Sequence, residues 1–205
     1  MKTRWAQPLM LPLMLLLAAP LLADDKAEPK DDTPYLEGDK QTLKEPPIQA
    51  LRPSDSWQFV DLEKMKKKAQ EQGADLSGYQ GLRFRLYYPA KRADVYIWAW
   101  IDESEPDKAL TAEKMAEMKV TQLKAAFKEP KLAKPYHTRV GRQVGVGFEL
   151  SGELAAQPKV QRGIVCTVAT RSEDRCAIVV QLECHPDQLK ELTKDLKKLL
   201  KKLKF

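Results

Sequence analysis

Gly163-Ile-Val-Cys-Thr-Val-Ala-Thr170, Arg171-Ser-Glu-Asp-Arg175 and Cys176-Ala-Ile-Val-Val-Gln-Leu-Glu-Cys184 follow one another near the end of this 205-residue chain. Two runs rich in β-branched residues around a polar one predict a β-hairpin. Strand side chains alternate between faces, so Ile164, Cys166 and Val168 share one face of the first strand, and Ile178, Val180 and Leu182 one face of the second. If the hairpin closes at Glu173, Cys166 lies opposite Val180 and both sets meet across one core. Gln181 and Glu183 then point the other way and are expected to reach solvent.

Outward from the hairpin, His185-Pro186-Asp187 predicts a helix start, with proline in the first turn and an acid at the positive end of the dipole. Leu189, Leu192, Leu196, Leu199, Leu200 and Leu203 recur at spacings of three and four, which makes an amphipathic C-terminal helix. Its other face carries Lys190, Lys194, Lys197, Lys198, Lys201, Lys202 and Lys204. One reading is a basic interaction face centred on Lys197, Lys198, Lys201 and Lys202, making weak contact with an anionic surface or acidic partner. The other is an ordinary solvated face whose lysines suit the negative end of the dipole, which is the commoner use of such runs.

At the other end, Lys2 and Arg4 precede the apolar run from Leu9 to Leu22, followed by Ala23 and Asp24-Asp25. This predicts a signal peptide, residues 1–23, and export to a periplasmic or extracellular compartment. The run is broken by Pro12 and Pro20 and is shorter than the roughly 20 residues of a spanning helix, so no stable membrane span is expected after signal removal. Loss of Lys2 and Arg4 lowers the formal charge of +6 by two. The remaining charge is mild, and with export it argues against a nucleic-acid partner. Residues 24–53 are rich in Asp, Glu, Lys and Pro and are expected to be a disordered linker. Residues 54–205 then form a single α/β domain.

Within that domain, Trp57-Gln-Phe-Val60 fits either a short strand or a helix entry. Leu62, Met65 and Ala69 predict a helix from Asp61 to Gln72, stopped by Gly73. Leu82-Arg-Phe-Arg-Leu-Tyr-Tyr88 and Asp94-Val-Tyr-Ile-Trp-Ala-Trp-Ile101 predict a second hairpin. The latter strand is apolar on both faces and so belongs inside a sheet covered on both sides. Its aromatic row, Tyr96, Trp98 and Trp100, is a candidate stacking platform for a glycan or small ligand. Aromatic rows in strands more often pack under a helix.

Asp102 and Glu113 have the spacing of the first and last ligands of a calcium loop, but Pro106 and Asp107 stand where that loop turns sharply on glycine, so calcium is set aside. Thr111 is expected to cap a helix with Ala112, Ala116, Val120, Leu123 and Phe127 as its buried stripe, ended by Glu129-Pro130. The strand Gln143-Val-Gly-Val-Gly-Phe-Glu-Leu150 follows; its glycines lack the lysine and helix of a phosphate loop and read as points of close approach.

The chain has only His137 and His185, no asparagine, no zinc-ligand spacing and no nucleophile elbow. No catalytic residue, metal or cofactor is therefore expected. Cys166, Cys176 and Cys184 are an odd set with poor pairing geometry and are expected to be free or weakly paired, Cys166 buried.

The element order resembles the PsbP-like family, which includes the extrinsic PsbP subunit of plant photosystem II and bacterial envelope proteins. A helix precedes the glycine-rich strand; Gly147-Phe-Glu-Leu-Ser-Gly152, the basic Lys159-Val-Gln-Arg-Gly163, two long strands and a helix ending in Leu203-Lys-Phe205 follow. The resemblance covers about residues 57–205. It implies an α+β fold, an antiparallel sheet flanked by helices in an α/β/α sandwich, and a binding or assembly role. It implies no site residues, because no metal or contact motif of the plant protein is matched. The expected function is thus an exported non-catalytic domain that binds a partner protein or envelope component, with a small-ligand carrier as the alternative.

Overall fold

The computed structural model describes residues 33–104 and 109–205. The expected signal peptide, the first part of the linker, and Pro106 and Asp107 lie outside the described residues.

The 163–184 segment forms the hairpin of β10 (Gln161–Arg171) and β11 (Cys176–Cys184). It lies inside a sheet rather than at its edge: β9 (Gln143–Leu154) pairs with β10, and β6 (Ala93–Ile101) pairs with β11. Beyond β6 come β5 (Leu82–Tyr88), β4 (Gln58–Val60) and β1 (Tyr35–Leu36). Beyond β9 come β7 (Phe127–Leu132) and β8 (Tyr136–Val140), each pairing with a different part of it. Among the described residues this is a nine-stranded antiparallel sheet. The helix α3 (Leu189–Lys202) covers one face, and α1 (Leu62–Glu71) and α2 (Ala112–Ala125) lie over the other. The fold is α+β, with the sheet between helical layers.

The expected helices begin where their caps are. The Asp61 carboxylate accepts from the Lys64 N–H at the start of α1, and the Thr111 hydroxyl accepts from the Lys114 N–H at the start of α2. Leu192, Leu196, Leu199 and Leu200 of α3 are buried, as their spacing predicted.

The hairpin register differs from the expectation by one residue. Arg171 pairs with Cys176, leaving an even turn in which Arg175 takes a left-handed φ of 56°. Arg171 ion-pairs with Asp174, and the Asp174 carboxylate accepts from the Cys176 N–H at 3.2 Å, which holds the turn. Cys166 therefore faces Gln181 across the ladder, not Val180. A one-residue slip reverses every side chain. Ile164, Cys166 and Val168 consequently join the core under α2, whereas Ile178, Val180 and Leu182 join the core under α3. Gln181 and Glu183 share the α2 face and are enclosed instead of solvated: Gln181 is 0% exposed and Glu183 is partly buried.

Two further expectations are corrected. Residues 33–53, read as disordered linker, carry β1, β2 (Lys40–Leu43) and β3 (Ile48–Leu51). Composition hid an alternation in which Ile48 and Ala50 enter the α3-side core while their neighbours stay outside. Gln49 also exchanges backbone hydrogen bonds with Lys204, so this hairpin clasps the chain's last residues. Pro130 does not simply end α2: the helix stops at Ala125 and residues 127–132 continue as edge strand β7. Its pairing shifts between Lys128 and Lys131, and Glu129 has a φ of 54°, so the proline sits in an edge irregularity that needs no donor from it.

Gly147 has a specific steric reason. A Cβ there would stand 2.6 Å from the Tyr136 ring, so glycine admits that ring against β9.

Candidate functional site

Three groups of side chains carry chemistry. The first is the lysine row. Burial of the leucine stripe turns the opposite face of α3 outward, and Lys197, Lys198, Lys201 and Lys202 are all exposed. Lys198 meets Asp195 at 2.8 Å, and Asp195 also accepts from the Trp57 indole N–H at 3.1 Å. Among the described residues, Lys197, Lys201 and Lys202 make no ion pair. Nearby, Glu191 is engaged with Lys91 at 3.1 Å.

The second is the aromatic row. Tyr96, Trp98 and Trp100 share the α2 face of β6, and Tyr96 and Trp98 stack with centroids 5.4 Å apart. Trp98 is 3% exposed and packs in the α2-side core; the Lys119 ammonium of α2 lies 5.0 Å from its ring centroid. Tyr96 and Trp100 are partly buried against the same core.

The third group was not singled out by sequence reasoning: polar side chains beside that row, on the β5–β6–β11 part of the sheet. Arg85 Nε donates to Asp94 at 2.7 Å, and both side chains are largely covered. The Arg85 guanidinium lies 5.9 Å from the centroid of Tyr87 and 5.6 Å from that of Tyr96, and its Nη1 reaches the Met65 sulfur of α1 at 2.9 Å. In the β6–β11 ladder Tyr96 faces Gln181 and Asp94 faces Glu183. The Gln181 amide donates to the Glu183 carboxyl. Its own Oε1, and the Trp98 indole N–H, are buried with no partner among the described protein groups.

Burial dominates the protonation of this group. It pushes the Asp94 and Glu183 carboxyls up, Asp94 against the pull of Arg85 and Glu183 with the added repulsion of Asp94. It raises the Tyr96 phenol well above its ordinary value and lowers the Lys119 ammonium. The available signal was alternation: Asp94 and Tyr96, and Gln181 and Glu183, are polar positions two apart that share one face of their strands, with Arg85 opposite Tyr96. They become one group only once β5, β6 and β11 are known to be neighbours in the observed register.

The remaining candidates stay apart. His137 is exposed on β8, while His185 is half-exposed and accepts at Nδ1 from the Asp187 N–H. Cys166, Cys176 and Cys184 are free and buried, and burial pushes the thiols of Cys166 and Cys184 up to about 12. Such thiols hold their proton and are poor nucleophiles. Among the described residues no His, Cys, Asp or Glu group of three or more is placed to hold a metal ion, and no helix is long and apolar enough to cross a membrane.

No protein-family model and no curated protein matches the chain. Solved structures do. The solution structure of cyanobacterial PsbP (CyanoP) from Synechocystis sp. PCC 6803 aligns with a TM-score of 0.52 at 14% identity, covering 80% of this chain and 90% of that one. LpqN, involved in cell envelope biogenesis of Mycobacterium tuberculosis, aligns with a TM-score of 0.50 at 10% identity, covering 76% of this chain and 81% of that one. The resemblance is one of fold, and the fold is PsbP-like.

Proposed function

We propose that this chain is an exported, non-catalytic accessory domain that binds an anionic partner protein or envelope component through the outer face of α3. The observation that carries the reading is the lysine row: Lys197, Lys198, Lys201 and Lys202 are exposed on one helix, and only Lys198 is paired with an acid among the described residues. A face of one sign attracts an opposite surface over about a Debye length and steers its approach. The leucine stripe beneath holds the helix in place, so the charges are presented on a packed support and not on a loose tail. Export rests on the signal-like Leu9 to Leu22 run behind Lys2 and Arg4. An accessory role is in keeping with the fold shared with CyanoP and with LpqN, the latter involved in cell envelope biogenesis.

The test is affinity capture from the native envelope fraction, comparing the unaltered chain with one carrying Lys197→Glu, Lys198→Glu, Lys201→Glu and Lys202→Glu. The expected result is one component enriched by the first and lost with the second, more weakly held as salt rises. Equal capture by both removes α3 from the contact, and no capture by either removes the binding role.

A further inference from the structure

The face of the sheet beneath α1 holds a juxtaposition that the proposed binding role does not use. Asp94 and Glu183 lie directly opposite each other in the β6–β11 ladder, so two carboxyls leave the same face as nearest cross-strand neighbours. Like charges in that arrangement repel. Water does little to screen them, because Asp94 is 4% exposed and Glu183 is partly buried. Their partners differ. Arg85 is committed to Asp94, whereas Glu183 accepts a hydrogen bond from a neutral amide, that of Gln181. Of two adjacent enclosed carboxyls, the one without the direct ion pair is the one that keeps its proton.

The groups around Glu183 come from every element packed there. Asp94 and Tyr96 belong to β6, Arg85 to β5, Gln181 to β11, Arg162 and Cys166 to β10 and Lys119 to α2. Tyr79, in the short helical turn Ser77–Tyr79, faces Arg85 and Tyr96. Burial and Asp94 push the Glu183 carboxyl up, while Gln181, Arg162 and Arg85 pull it back.

The cover on this side is weakly held. Helix α1 buries no side chain completely; it touches the group through Met65 on Arg85, with Leu62 and Tyr79 partly buried alongside. Gly73, at a φ of 70°, follows the helix, and Gly81, also at 70°, follows the turn that carries Tyr79. Segments with few buried apolar side chains open at lower cost than the core.

We propose that the Asp94–Glu183 pair is a proton-operated latch for segment 62–79. With a proton on Glu183 the segment rests closed over Arg85 and Tyr96. When that proton leaves to solvent, two negative carboxyls share an enclosed face, and lifting the cover lets water reach them. Opening also bares the Arg85 guanidinium and the rings beside it, so the same event that hydrates the acids creates an accessible cationic and aromatic surface.

Amide hydrogen exchange on the full chain, corrected for intrinsic exchange rates, reads this directly between about pH 5 and about pH 9, a range above the ordinary carboxylate titration. Protection of amides in 62–79 is expected to fall by about tenfold or more as pH rises, with α3 unchanged. In Glu183→Gln, which keeps the shape and removes the ionisation, protection of 62–79 should stay flat. In Asp94→Asn, which removes the second charge and leaves Arg85 free to face Glu183, the fall should be lost or much reduced. A flat profile in the unaltered chain, or the same fall in Glu183→Gln and the unaltered chain, overturns the proposal. Should Glu183→Gln fail to fold, an undiminished fall in Asp94→Asn overturns it alone.

Discussion

On the α3 side of the sheet, Ile97, Ile178, Val180 and Leu182 meet Leu192, Leu196 and Leu199 in an apolar core. On the α2 side, β6 and β11 turn Asp94, Tyr96, Gln181 and Glu183 toward their covering helices, with Arg85 and Lys119 beside them. The same strands thus line a dry face and a charged one. Apolar burial is non-directional and tolerates small adjustments. Buried charge does not: each group depends on a named partner, and loss of that partner leaves the other exposed to its full desolvation cost. The α3 side should respond to lost volume and the α2 side to lost partners.

The largest expected effect tests that difference. Arg85→Ala leaves Asp94 enclosed without its cation and should lower stability by about 3–5 kcal/mol in urea unfolding. Replacing both, Arg85→Met with Asp94→Leu, should recover most of the loss, because an apolar pair of similar volume has no charge to desolvate. If the double replacement is as damaging as the single one, packing rather than pairing governs this face. Leu199→Ala on the opposite side should cost about 2–5 kcal/mol through lost burial and the space left behind. No second substitution at a charged site should rescue it.

Smaller in size but sharper in sign is the pH dependence. The Glu183 carboxyl is raised in the folded protein, so its contribution is fully present below the ordinary glutamate range and is lost as pH rises through the folded value. Asp61, Asp75, Asp102 and Asp174 are lowered and act in the opposite sense at and below the ordinary aspartate range, whereas the raised Asp94 acts in the same sense as Glu183 and overlaps it in a single stability curve. The difference between the unaltered chain and Glu183→Gln isolates it. The unaltered chain should lose stability relative to the glutamine variant as pH rises above the ordinary glutamate range, until the folded carboxyl has titrated. Parallel curves would show that Glu183 is solvated like an ordinary surface acid.

What could be read from the chain alone divides along the same line. The α3 side was legible because its signals are local: leucines at spacings of three and four, and the strand pattern of 176–184. The Thr111 cap was legible for the same reason, as was the helix expected from Asp61, whose first residue proves to be its cap. The α2-side charged group was not, because it depends on a register set by the left-handed Arg175 and the Arg171–Asp174 pair, and one residue of slip decides which face each side chain joins. The 33–53 segment was missed through averaging: its composition is that of a linker, yet Ile48 and Ala50 alternate into the core and Gln49 bonds to Lys204.

The smallest effect on stability belongs to the lysine row, and its smallness is informative. Lys197, Lys201 and Lys202 make no ion pair among the described residues, so reversing them removes no such contact from the fold. Lys198 has Asp195, an acid near the surface whose other partner is the Trp57 indole. Exposed pairs of that kind contribute about 0–1 kcal/mol. The fourfold reversal does place acids at the negative end of the α3 dipole, so a loss of about 1–2 kcal/mol is expected from the helix end alone. That loss should shrink as salt is added, whereas a loss from disturbed packing would persist. A salt-insensitive loss comparable to that of Leu199→Ala would mean that the lysine stems cover apolar surface beneath them. The row would then be part of the dry face, and the contrast between a packed inner side of α3 and a free outer side would fail.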